Sequence, residues 1–138
     1  MSKLQEGGVS SMLDNPDRET ELLIGISRRV LDRARAGGAG QAEVSVASSL
    51  SREAGVRLGE VEVLEEARDR GVRVTVYCNN CSGSASTGDL RSEVIDECVD
   101  RALAIARHTQ ADKASGLADA KLMASEFPDL DLWHPIDV

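Results

Sequence analysis

The stretch from Gly59 to Thr87, GEVEVLEEARDRGVRVTVYCNNCSGSAST, constrains this chain more than any other, because its alternation of apolar and polar residues sets register, turns and sheet face together. It reads as three consecutive antiparallel strands. Val72, Val74, Val76 and Cys78 face one way while Arg73, Thr75 and Tyr77 face the other, the pattern of a half-buried strand. Arg68-Asp69-Arg70-Gly71 reads as a turn before it. Asn79-Asn80 after it suits the positive φ angles of a two-residue type I′ hairpin. That hairpin predicts the pairs Cys78 with Cys81, Val76 with Gly83 and Val74 with Ala85, and on the other face Tyr77 with Ser82 and Thr75 with Ser84. Bulky residues then oppose small ones on the inner side, leaving room for a covering helix.

Upstream, Ala42, Val44 and Val46 alternate with Glu43, Ser45 and Ala47; a polar bend follows, and Val56 and Leu58 resume the apolar side before Gly59-Glu60 turns the chain into Val61 and Val63. Two helices flank these strands. Asn15-Pro16 offers an N-cap followed by proline at the first helical position. Leu22, Leu23, Ile26, Val30 and Ala34 form one apolar stripe, which runs out into Gly37, Gly38 and Gly40 as a C-cap. Asp89 is the candidate N-cap of the second helix, whose stripe is Ile95, Cys98, Val99, Ala102 and Ala106, ending near Thr109. The expected fold is α/β of the α+β type, a two-layer sandwich in which an antiparallel meander sheet is covered on one face by two helices.

The 138 residues suffice for one core. With 41% apolar and 29% charged residues, the composition is that of a globular domain. A formal net charge of −8 argues against nucleic-acid phosphates as a ligand. There is no apolar run of about 18 residues, and the first twenty residues lack the apolar core of a signal peptide, so a cytoplasmic protein without membrane contact is expected. The three cysteines are expected to be free thiols. The organisation reads as a mobile amino-terminal arm over 1–14, an α/β domain over 15–110, and an acidic linker over 111–138 leading toward a carboxy-terminal region. The linker carries two of the three aromatic residues, Phe127 and Trp133, beside Leu130, Leu132, Pro128 and Pro135. Such a segment either docks on a partner through Phe127, Leu130, Leu132 and Trp133 or folds back over the domain's own sheet.

Few residues carry chemistry. Cys78-x-x-Cys81 has the spacing of a zinc half-site or a redox dithiol. The remaining donors, Cys98 and His108, stand ten residues apart on one expected helix, about 15 Å, too far to share an ion. A thioredoxin-like dithiol sits at a helix start rather than across a hairpin, so small hydrophobes at the edge of the core are the plainer reading. His108 suits a helix C-terminus, and neither it nor His134 has a nucleophile or carboxylate at a diagnostic spacing. Glu60, Glu62, Glu65 and Glu66 read as a solvated strand face. Gly37-Gly38-Ala39-Gly40 leads from helix to strand, the reverse of a phosphate-binding loop. No catalytic or metal-binding residue is assigned.

The order of a helix, the strand QAEVSVASS, the hairpin GEVEVLEEARDRGVRVTVY, the return strand GSAS, the helix ending ALAIARHT and the tail ASEFPDLDLWHP resembles the amino-terminal part of the TldD/PmbA family, over about residues 18–138, and PDLDLWHP is its most specific piece. It is closer to the PmbA branch, also called TldE. The resemblance implies a cytosolic bacterial protease complex, with an older family label of modulator of DNA gyrase. In it a TldD-like subunit carries zinc on a His-Glu-x-x-x-His helix, a PmbA-like subunit is its partner, and unfolded peptides are trimmed. That motif is not found in these 138 residues. The resemblance therefore implies a non-catalytic amino-terminal domain without a cofactor of its own, whose partners are a TldD-like subunit, the carboxy-terminal domain of its own chain and unfolded peptides. The edge strand Gln41 to Ser49 is a place where extended peptide could add by β-augmentation. A stand-alone adaptor working through the aromatic tail is the alternative.

Overall fold

The computed structural model describes residues 16–132. Helix α1 (Pro16–Ala36) leads into strands β1 (Gln41–Arg57), β2 (Glu60–Cys78) and β3 (Cys81–Thr87), followed by helix α2 (Ser92–His108) and a short 3-10 turn at Ala120–Leu122. The strands form an antiparallel meander in the order β1-β2-β3, with α1 and α2 on one face. This is the expected two-layer sandwich.

The core lies between helices and sheet. Ile26, Val30 and Ala34 of α1, Val72, Val74 and Val76 of β2, and Ile95, Cys98, Val99, Ala102, Leu103 and Ala106 of α2 are buried. Removing a side chain such as Val74 from water stabilises the fold by about 1.5–3 kcal/mol before entropy is subtracted. The helical stripes are therefore as expected from Ile26 onward, whereas Leu22 is largely exposed.

The β2–β3 register is the expected one. Cys78 pairs with Cys81, Val76 with Gly83 and Val74 with Ala85, and Asn79 and Asn80 both have positive φ. Gly83 is where the two layers come closest: a Cβ there would run into the Ala102 carbonyl and stand 2.5 Å from the Ala106 nitrogen of α2. With small residues on both sides, the α2 backbone rests directly on β3.

The end of α1 is closed as a Schellman motif. Gly38 takes φ of 92°, the Ala39 N–H donates to the Ala34 carbonyl, and the Gly38 N–H donates to that of Arg35. Arg107 of α2 donates to the Gly37 carbonyl at 3.1 Å. Two bidentate ion pairs, Arg29 with Asp96 and Arg33 with Asp100, join the helices. Each step of four residues on α1 matches one of four on α2, so the helices run parallel in register.

Three local expectations are corrected. Arg68–Gly71 is not a turn: β2 runs through it, with Ser48 opposite Arg70 and Ala47 opposite Gly71. No bend interrupts β1 near Ser49 either, so the sheet has three strands, two of them long. In both places the polar residues sit where the ladder leaves the helix layer: Ser48, Leu50, Arg70 and Gly71 are half-buried, and most residues farther out are exposed. Finally, α2 is capped by Arg91, not Asp89; the Asp89 carboxylate accepts the Arg91 N–H in a turn just before the helix. The Asn15 cap lies outside the described residues.

Candidate interaction surface

The helices cover only half of the long β1–β2 ladder. Beyond Ala47 and Gly71 the two strands continue as a ribbon from Ser48 to Arg70 that reaches roughly 30 Å at about 3.3 Å per residue. Arg70 marks where the ribbon leaves the body, its guanidinium 3.6 Å from the carboxylate of Glu19 on α1.

Register assigns the ribbon's side chains to faces. Leu50 with Arg68, Arg52 with Glu66 and Ala54 with Leu64 continue the helix-side face. Ser49 with Asp69, Ser51 with Ala67 and Glu53 with Glu65 continue the outer face. Arg52 and Glu66 form an ion pair at 2.9 Å. Glu53 and Glu65 place two carboxylates directly opposite, an arrangement unfavourable in an isolated sheet. A bulge between Gly55 and Val56 then brings Val56 opposite Val61 on the outer face.

The tip is apolar and exposed. Leu58 and Gly59 have φ of 53° and 84°, both central residues of a two-residue hairpin turn. Asn or Gly normally occupies the first of these positions, and a leucine there carries about 1 kcal/mol or more of backbone strain. Leu58 is nonetheless 98% exposed, and Val56, Val61 and Leu64 are mostly exposed around it. The turn thus falls at Leu58-Gly59, one residue before the expected Gly59-Glu60, and the residues around it stand clear of the core. The visible signal was the pairing of leucine with glycine at a hairpin turn.

Of the four tail residues expected to dock, Phe127, Leu130 and Leu132 are well exposed, and Trp133 lies outside the described residues. Among the described residues, the tail is hydrogen-bonded to the body near its start. The Asp112 N–H donates to the Asn80 carbonyl at 2.8 Å, and the Leu117 N–H donates to Gln41 Oε1 at 3.0 Å. From Lys121 to Leu132 every residue is exposed.

Metal-donor side chains do not converge among the described residues. Cys78 and Cys81 sit at the β2–β3 turn, half-buried, while Cys98 is buried under α2, where desolvation pushes its thiol above the ordinary range. Among the described residues no group of three or more His, Cys, Asp or Glu could hold a metal ion, so the residues present do not fit a zinc site. No helix of the described residues is long and apolar enough to cross a membrane.

This helix-covered meander with a projecting ribbon has known relatives. Residues 42–106 match the family description PmbA/TldA metallopeptidase domain 1. A metalloprotease PmbA homolog of Haemophilus influenzae is 40% identical over 121 residues, covering 88% of this chain and 26% of that protein. Metalloprotease PmbA of Escherichia coli O157:H7 is 44% identical over 97 residues, covering 70% and 22%. Two crystal structures share the fold. A protein described as a modulator of DNA gyrase from Bacteroides thetaiotaomicron has a TM-score of 0.66 at 22% identity, covering 81% of this chain and 24% of that one. TldE of Thermococcus kodakarensis has a TM-score of 0.56 at 17% identity, covering 80% and 25%. The chain belongs to the PmbA/TldD family and carries the amino-terminal domain of its PmbA/TldE branch. It spans about a quarter of the length of the curated relatives it matches.

Proposed function

We propose that this chain is a non-catalytic, contact-making domain of a PmbA/TldE-like subunit in a cytoplasmic TldD/TldE-type zinc metalloprotease complex that degrades or matures unfolded peptides. The observation that carries this reading is the β1–β2 ribbon, whose strained apolar tip stands outside the domain's own core in a chain related to metalloprotease subunits. A two-stranded ribbon is marginal by itself in water, and burial of Val56, Leu58, Val61 and Leu64 on a neighbouring subunit would stabilise it. The ribbon has about as many residues as one side of a standard protein interface, which buries roughly 800 Å² per partner. Zinc and the hydrolytic chemistry belong, in this reading, to the TldD-like partner.

Assembly of the full-length subunit with a TldD-like subunit, followed by light scattering on a sizing column, tests the assignment. Leu58→Asn and Leu64→Asp are expected to raise the dissociation constant at least tenfold while the subunit stays folded. Unchanged affinity in both variants would remove the ribbon from the interface.

The adaptor reading draws on a separate observation, the exposure of Phe127, Leu130 and Leu132. It predicts that a Phe127→Ala, Leu130→Ala variant loses a partner that the Leu58 and Leu64 variants retain; retention of every partner by the tail variant would dismiss it.

A further inference from the structure

The closing pair of the β2–β3 hairpin is two cysteines, a feature the proposed role leaves unused. Cys78 and Cys81 are direct register partners across the Asn79-Asn80 turn, so their side chains emerge on the same face of the sheet. The pair that closes a two-residue hairpin exchanges both backbone hydrogen bonds, which places its Cα atoms about 5.5 Å apart. That separation falls within the roughly 4.4–6.8 Å over which disulfides form. Both thiols are free and half-buried, and their polar contacts among the described residues are weak: Cys78 Sγ donates to the Gly38 carbonyl at 3.8 Å and Cys81 Sγ to the Asn79 carbonyl at 3.7 Å. No further metal donor joins them among the described residues, which leaves dithiol chemistry as what two adjacent sulfurs can do.

We infer that Cys78 and Cys81 form a thiophile-binding dithiol that closes reversibly to an intra-hairpin disulfide, with small disulfides of the glutathione type as oxidant and trivalent arsenicals as chelating ligands. In the oxidation, one thiolate attacks a sulfur of the small disulfide, forming a mixed disulfide and releasing one small thiolate. The second cysteine, as thiolate, attacks the protein sulfur of that mixed disulfide and releases the second small thiolate. Each cysteine has lost its proton, the hairpin has lost two electrons, and the small disulfide has become two thiols. Cβ atoms across a hydrogen-bonded pair stand slightly wider than a relaxed disulfide prefers, so the bond is expected to be readily reduced. Cys98 is an internal control, since it lies in the core between α2 and the sheet with its thiol raised by burial.

Reduced protein equilibrated with oxidised glutathione, quenched in acid, alkylated and analysed by peptide mass spectrometry gives the test. The expected product links Cys78 to Cys81 in one peptide, reopens with reduced glutathione, and leaves Cys98 alkylated only after denaturation. Phenylarsine oxide should bind one per chain to wild type and to Cys98→Ser, and should bind Cys78→Ser at least a hundredfold more weakly. Cys78→Ser should stop at a stable glutathione adduct on Cys81. Stable adducts on both cysteines of the wild type, disulfides between chains, or equal arsenical binding by wild type and Cys78→Ser would overturn the inference.

Discussion

The inner and outer halves of the β1–β2 ladder are built by the same two strands, in one register from Gln41 to Gly55, yet they meet opposite environments. Inside, Val72, Val74 and Val76 are buried beneath α1 and α2; outside, Leu64, Val61 and Val56 are bare. Backbone pairing therefore carries the ribbon out of the body, and burial holds only its root. The outer half is secured by cross-strand contacts such as Arg52 with Glu66, opposed by the like-charged Glu53 and Glu65. A segment so exposed contributes little burial to its own domain, and contact with another polypeptide is the role proposed for it.

The sharpest way to break this contrast is to disturb the root. Gly83→Ala drives a Cβ into the Ala102 carbonyl and the Ala106 nitrogen, both backbone atoms that cannot rotate away. The expected loss is about 3 kcal/mol or more, read as a lowered urea midpoint. A loss under about 1 kcal/mol would mean that α2 is not held against β3 as described. Second in size is a matched pair of truncations. Val74→Ala in the buried half should cost about 2–3 kcal/mol, while Leu64→Ala in the exposed half should stay within about 0.5 kcal/mol. Equal costs in the isolated domain would erase the distinction between the halves.

The sequence was readable where one face is buried and opaque where neither is. At Asn79-Asn80 two residues suited to positive φ stand between alternating segments, and the turn, all five cross-strand pairs and the space under α2 follow. At Arg68–Gly71 four polar or glycine residues carry the composition of a turn, but β1 offers a partner along the whole length, and Arg68 and Asp69 are exposed on opposite faces. Alternation reports burial, not pairing, so it fails in the outer ribbon. The same failure hid the candidate surface: Leu58 and Leu64 were legible as apolar but not as exposed. The tail's apolar residues were easier to single out, because Phe127 belongs to a class that is otherwise almost missing from the core.

A smaller effect sharpens the contrast at the tip. Leu58→Asn replaces a strained residue with one suited to the turn, so the isolated domain should gain up to about 1 kcal/mol, seen as slower amide exchange in residues 55–62. Stability and partner binding should thus move in opposite directions on one substitution. Slower exchange together with undiminished assembly would show that Leu58 serves neither the turn nor the contact.

The smallest expected effect concerns the helix layer that covers only the inner half. The side-chain hydrogen bonds from Arg33 hold the Asp100 carboxyl below the ordinary range, with burial opposing and the charges of Arg33 and Arg107 adding to it. A depressed folded value means that the unfolded chain binds the proton more readily, so stability from this pair is complete above the unfolded carboxyl value of about 3.9. It fades as pH falls from there through the folded value. Both partners are about half exposed, so solvent and salt screen the interaction and only a slight shift of the urea midpoint is expected from Asp100→Asn near pH 7. That shift should shrink below about pH 4, where Asp100 of the unfolded chain begins to bind a proton, and vanish once the folded carboxyl is protonated too. Because α1 and α2 cover only the root, amide exchange in Val72–Val76 should register the change while the ribbon from Ser48 to Arg57 stays unaffected. Equal response in both segments would mean that the outer ribbon leans on the helices after all.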